Sequence, residues 1–242
     1  MIIPKVLLKY EEYLNSTIKT INKISFRRQQ TLPWESKCGG CPYLETMDDY
    51  PVGENGKPMM FLAQINLDEM PALEEFPTTG ILQFYIMDDD YYGYDGKCKV
   101  IYIPEYKKDV QINKNPYEDK YIGYKPFEYE GKMIFTYEKM FIGTECGEFQ
   151  DRFRHKVTDD EWNALYDICS PSGCHIGGYP LFVQETPEYY DDGSSDILLL
   201  QLDIDDECRI MFGDSGNCVF LISKDDLRNR NFNNVAYDWQ CC

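Results

Sequence analysis

Three short blocks occur twice in this chain, in the same order and at nearly the same spacing. Gly39-Gly40-Cys41-Pro42-Tyr43-Leu44 is answered by Gly177-Gly178-Tyr179-Pro180-Leu181-Phe182. Phe61-Leu62-Ala63-Gln64-Ile65-Asn66-Leu67-Asp68 is answered by Leu198-Leu199-Leu200-Gln201-Leu202-Asp203-Ile204-Asp205. Gly80-Ile81-Leu82-Gln83-Phe84-Tyr85-Ile86 is answered by Gly216-Asn217-Cys218-Val219-Phe220-Leu221-Ile222. The distance between copies shortens by a single position from each block to the next. One such block would be ordinary; three at a nearly constant offset point to a repeated unit. Each unit reads as a glycine turn, a buried strand, a second turn and a strand returning beside the first. An isolated strand pair cannot bury its apolar faces, so two units are expected to complete one core. In each turn the glycines permit positive φ or close backbone approach, and the proline fixes an extended exit.

The expected fold is therefore α+β: internally duplicated, mainly antiparallel sheet units, an N-terminal amphipathic helix and a few short helices. It is expected as one pseudo-symmetric domain over residues 1–242, with units at about 35–105 and 175–240 and a connector at about 106–174. The first unit's strands are expected at 59–67 and 81–87, joined by an acidic, proline-punctuated stretch. Further strands are expected at 97–104, 133–142, 196–204 and 217–222, with long loops or a short edge strand over 105–132. Apolar residues at three-and-four spacing, from Val6 and Leu7 through Tyr10 and Leu14 to Ile21 and Ile24, predict a helix over 4–24. Thr158 and Glu161 form a capping box ahead of Trp162, Leu165, Tyr166 and Cys169. Ser223, with Asp226 three positions on, caps a short helix over 224–230.

These blocks also resemble the YwqG-like family, a bacterial group of uncharacterised proteins. The residues carrying the resemblance are GGCP at 39–42, KPMMFLAQINLDEMP at 57–71, PTTGILQFYI at 77–86, IGGYPLFVQ at 176–184, DILLLQLDIDDE at 196–207 and GDSGNCVFLISKDDLRNRNF at 213–232. The resemblance implies a mixed α+β fold with an internal duplication, and a place in toxin–immunity neighbourhoods for some of its members. It carries no catalytic residues onto this sequence. Cys38, Cys41 and the Cys241-Cys242 end depart from the family's shared pattern.

The formal charge of −18 sets limits on partners. Phosphates would be repelled, which excludes non-specific nucleic-acid binding and favours a protein partner with a basic face. The charge is uneven: residues 1–40 carry seven Lys/Arg and three Asp/Glu, while residues 171–242 carry four and thirteen. No stretch approaches the ~20 apolar residues that cross a bilayer, and Lys5, Lys9, Glu11 and Glu12 interrupt any signal-like apolar run. A cytoplasmic protein with no membrane contact is expected, its ten cysteines reduced.

Several constellations invite chemistry. Cys38-Gly39-Gly40-Cys41 has CxxC spacing, but it overlaps a glycine turn instead of opening a helix, so a redox role is not expected. A zinc site would need further ligands from Cys169, Cys174 or His175. Incidental thiols are the simpler reading, and no cofactor is expected. Gly213-Asp214-Ser215-Gly216 matches a serine-protease loop in letters only, since the repeat makes Gly216 the partner of Gly80 at a turn. Cys241-Cys242 lacks the flexible tail of a prenylated end.

Gln64 and Gln201 stand out, each an amide inside an apolar strand and each at the same place in its unit. Two outcomes are open: full hydrogen bonding to neighbouring backbone, or contact with a ligand or partner across a central cleft. The functional expectation is a non-enzymatic interaction or immunity-type factor that binds a basic protein. The alternatives are an enzyme or small-ligand binder with a site between the units, and a zinc-stabilised structural module.

Overall fold

The computed structural model describes residues 1–54, 56–94, 98–191 and 193–241. Its strands are β1 (Lys19–Arg28), β2 (Lys37–Cys38), β3 (Met60–Asn66), β4 (Ile81–Ile86), β5 (Cys98–Ile103), β6 (Gly131–Met140), β7 (His175–Gly177), β8 (Ile197–Leu202), β9 (Asn217–Ile222) and β10 (Ala236–Gln240). The helices are α1 (Glu11–Ser16), α2 (Gly147–Phe153), α3 (Asp159–Cys169), α4 (Glu188–Asp191) and α5 (Lys224–Arg228), with short 3₁₀ turns between elements. The strands form one sheet in the order β10-β9-β8-β7-β1-β6-β2-β3-β4-β5, with every adjoining pair antiparallel.

That order has a centre. On one side of the β1–β6 pair run β2, β3, β4 and β5, and on the other run β7, β8, β9 and β10. The registers correspond. Lys37 faces Gln64 on one side and Lys132 on the other, as His175 faces Gln201 and Lys23. The pairing slips at Leu62 in β3 and at Leu199 in β8, each against the strand that follows. Such a bulge bends its strand and sharpens the local twist. The sheet curls until β4 and β9 meet face to face, with the rings of Phe84 and Phe220 5.0 Å apart. The main core lies inside this curl and takes Leu62, Ile65, Phe84, Leu200, Phe220 and Tyr237 among its members. A second core, built on Leu7, Leu14, Phe149, Phe153 and Leu165, joins the N-terminal turns to α2 and α3.

The expected helix over 4–24 is corrected. A 3₁₀ segment covers Lys5–Tyr10, α1 ends at Ser16, and β1 begins at Lys19. Thr17, Ile18, Thr20, Ile21 and Ile24 are β-branched, stiff at χ1 and well suited to a pleated surface. From Lys23 onward burial alternates, with Ile24 and Phe26 inside and Lys23 and Ser25 outside. The strand has ladder partners on both sides, which a helix there would forfeit. The expected strand at 97–104 is found as β5, with Lys97 outside the described residues, as is Cys242. The capping box at Thr158 and Glu161 forms as read, and Gly213–Gly216 is a tight turn closed by Phe212 and Gly216.

Because Phe84 and Phe220 hold the two wings of the sheet together, Phe84→Ala should lower unfolding free energy by about 3–5 kcal/mol in urea titration. Phe220→Ala should do the same. The double variant should lose less than the sum, because each single change already removes the ring–ring contact.

Candidate functional site

Gln64 and Gln201 are fully buried, and each serves as a clamp on its glycine turn. Gln64 Oε1 accepts from the Tyr43 amide at 2.7 Å, and its Nε2 donates to the carbonyls of Pro33 at 2.8 Å and Glu35 at 3.0 Å. Gln201 Oε1 accepts from the Leu181 amide at 2.8 Å, and its Nε2 donates to Pro171 and Gly173 at 2.9 Å each. Tyr43, Pro33 and Glu35 precede Leu181, Pro171 and Gly173 by one constant offset, the same that separates the two glycine turns. Both donor hydrogens of each amide are used on backbone, so neither has one left for a ligand. The enclosure favours the structural outcome for this pair over contact with a ligand or partner.

The strand partners of these glutamines share a second task. Lys37 is fully buried, and its Nζ donates to Leu32 O at 2.6 Å and Cys41 O at 2.9 Å. Burial pushes its pKa down to about 8, against the opposing pull of Glu130 and Glu35. At the matching position His175 sets Nδ1 2.9 Å from Gly173 O and Nε2 3.1 Å from Tyr179 O. Cys41 and Tyr179 are the third residues of the two turns, so a buried basic side chain reaches the same carbonyl in both. Burial lowers the His175 pKa, while the two carbonyls pull it upward. The glycines make this approach possible: Gly178 holds φ at +77°, and a Cβ there would stand 2.4 Å from Ile21 Cγ2.

The zinc candidates are not gathered. Cys38 and Cys174 enter the main core, in the same cluster as Cys208 and Cys218, while Cys41 faces the opposite side toward Ile112 O. Cys169 belongs to the second core, and the two nitrogens of His175 face the backbone carbonyls of Gly173 and Tyr179. Cys174 Sγ sits 3.1 Å from the Asp203 amide and 3.3 Å from its carbonyl, doing for β8 what Ser36 Oγ does for Asn66 in β3. Burial raises the pKa of Cys38 and Cys174, which keeps these thiols protonated. Among the described residues no group of three His, Cys, Asp or Glu side chains could hold a metal ion.

Three concave surfaces adjoin strands of the sheet. A cleft of about 330 Å³ lies between the β3–β4 connector and the turn before β8, lined by Lys19, Leu73, Glu75, Phe76, Gly178 and Lys224. Glu75 Oε1 accepts from Arg228 at 2.7 Å and pairs with Lys224 at 2.9 Å, which straps the connector onto α5. Lys19 has a different environment: its Nζ stands 4.1 Å from the centre of the Tyr179 ring, and burial lowers its pKa. The other two surfaces correspond to one another across the sheet. One, of about 400 Å³, lies between residues 43–46 and β5, and the other, of about 390 Å³, lies between residues 184–189 and β10.

Two substitutions test the clamps. Gln201→Leu strands the Leu181 amide and the Pro171 carbonyl, and should cost about 3 kcal/mol by chemical denaturation. Lys37 gives a pH signature. Below pH ~8 the lysine is charged in both states, whereas between ~8 and ~10.4 the unfolded chain binds a proton that the folded chain lacks. Its contribution to stability should therefore be flat below pH ~8 and rise by up to about 3 kcal/mol towards pH ~10.4. In Lys37→Met that rise should vanish from paired pH–stability curves.

No curated protein matches the sequence. The match that is found runs over residues 36–241, from the residue before the buried lysine of the first turn to just past the last strand, and it is to a family described as Domain of unknown function (DUF1963). The chain belongs to that family.

Proposed function

We propose that this protein is a non-catalytic interaction factor that binds a basic protein partner through its acidic surface. The observation that carries the reading is the groove beside β10. Asp238 and Glu185 line it, and among the described residues neither carboxylate is ion-paired. The chain's excess of 42 acidic over 24 basic residues is consistent with a partner that supplies the missing positive charge. An immunity-type factor neutralising a basic toxin is the form that the YwqG-like resemblance implies, acting in the cytoplasm. We read the two halves of the sheet as copies of one ancestral unit; the matched clamps, registers and bulges support that reading. Immobilised protein should retain a basic protein from its host at about 50 mM salt and release it steeply by about 200 mM, given the Debye length at these concentrations. Retention of no basic protein at the lower salt would overturn the proposal.

A second reading, a small-ligand site between the halves, draws on Lys19. Lys19 lines the cleft together with the apolar Leu73 and Phe76, and its ammonium, over the Tyr179 ring, has no carboxylate in ion-pairing range among the described residues. That chemistry suits a small organic anion. A thermal-shift series with short-chain carboxylates should raise the midpoint of the wild type and leave Lys19→Met unmoved; equal response of both proteins would sink it.

A further inference from the structure

The two corresponding grooves differ in how their carboxylates are paired. In the first half the chain leaving β5 folds back beside its groove. Tyr106 meets Tyr43 edge-on with ring centroids 6.1 Å apart, and Lys107 Nζ stands 2.7 Å from Glu45 Oε2. The Lys107 amide donates to the Tyr43 hydroxyl at 2.9 Å. An aromatic residue and a lysine from the chain itself thus dock on the wall of that groove and neutralise its carboxylate.

The groove beside β10 has, among the described residues, no lysine or arginine ion-paired with the carboxylates of its wall. It matches the first in volume and place, and it is lined by Asp238, Glu185, Tyr94, Tyr189 and Trp239. Asp238 Oδ2 accepts from Gln240 Nε2 at 2.8 Å, and burial raises the carboxyl pKa, the condition of a charge held out of water without a cation. The Tyr189 hydroxyl is buried with no hydrogen-bond partner among the described residues. The rings of Tyr94 and Trp239 stand 6.4 Å apart at a steep mutual angle of 77°. Ring faces attract cations, and the attraction grows where water is excluded. β10 is also an end strand of the sheet, paired on one side to β9 and on the other to no strand among the described residues. An end strand offers a row of backbone donors and acceptors to an extended chain.

We propose that the groove beside β10 binds a lysine or arginine side chain carried on an extended segment of a partner protein. The segment lies along the free edge of β10, places its cation between Asp238 and Glu185, and repeats in trans the contact that Tyr106 and Lys107 make in cis. This site rests on the reading of a basic protein partner and gives that partner an address on the surface.

The test uses the full chain and two capped peptides, acetyl-Gly-Tyr-Lys-Lys-Gly-amide and its Gln-Gln counterpart, in isothermal titration calorimetry at about 20 mM salt, where screening is weak. The wild type should bind the lysine peptide and ignore the glutamine one. Asp238→Asn keeps the shape and the contact to Gln240, and should weaken binding about tenfold or more, the loss expected for one charge-assisted hydrogen bond. Glu185→Gln, at a more exposed carboxylate, should weaken it less, and Glu45→Gln in the first groove should leave it unchanged. Wild-type affinity retained in both Asp238→Asn and Glu185→Gln would overturn the groove as the site while leaving the basic-partner reading in place. No binding of the lysine peptide, with a basic host protein still captured, would overturn the groove alone; neither binding nor capture would overturn both.

Discussion

Everything in this sheet depends on keeping the backbone polar groups at two tight turns satisfied after water has been removed. Buried amides and carbonyls must find partners, and a turn made of two positive-φ glycines followed by a proline leaves several that no ladder can reach. The chain meets the need with side chains from the strands on either side: a glutamine from the strand after the turn that bridges it to the preceding loop, and a basic residue from the strand before it that reaches the turn's third carbonyl. These side chains are polar for structural reasons, and a search for function that begins from buried polar residues meets them first.

Which parts of the fold can be read from the sequence follows from how local each signal is. The strands flanking the repeat blocks, the box at Thr158 and the turn at Gly213–Gly216 are written in contiguous residues, and they form where expected. Strand β1 is hidden because Ile18, Ile21 and Ile24 recur at a helical spacing, and only pairing to β6 and β7 overrides that signal. The two-residue strand β2 and three-residue strand β7 are too short to leave any periodic mark. The groove at Asp238 is equally silent, since its walls come from residues 94, 184–189 and 236–240, which only the fold brings together. The buried bases did leave a trace: aligning the halves on their glycine turns places Lys37 opposite His175, each two positions before the first glycine.

The correspondence between the halves is strongest where the backbone must be satisfied and weakest at the surface. Tyr43 O receives Gln83 Nε2 in one half, while Leu181 O receives Asn217 Nδ2 in the other, so the task persists although the donor's position has moved. Thiol replaces hydroxyl between Ser36 and Cys174 on the same terms. Around the outer strands the halves part company, with Ile101 and Asp238 at matching places, and Tyr106 packed on Tyr43 in one half where Tyr94 packs on Trp239 in the other. The hydrogen bonds that hold the turns are alike in the two halves, and the residues lining the two grooves are not.

The position of β1 carries a consequence for how the chain assembles. Its ladder partners lie far along the chain, in β6 and β7, so the middle of the sheet closes the largest loops in the molecule. The β3–β4–β5 and β8–β9–β10 meanders are local by comparison and can form within short loops. During synthesis β1 leaves the ribosome ahead of its partners and must wait for β6 and then for β7 before both of its edges are covered. Lys23, Ser25, Arg27 and Arg28 are exposed in the finished sheet. Such residues keep an unpaired edge soluble and unattractive to other strands while it waits.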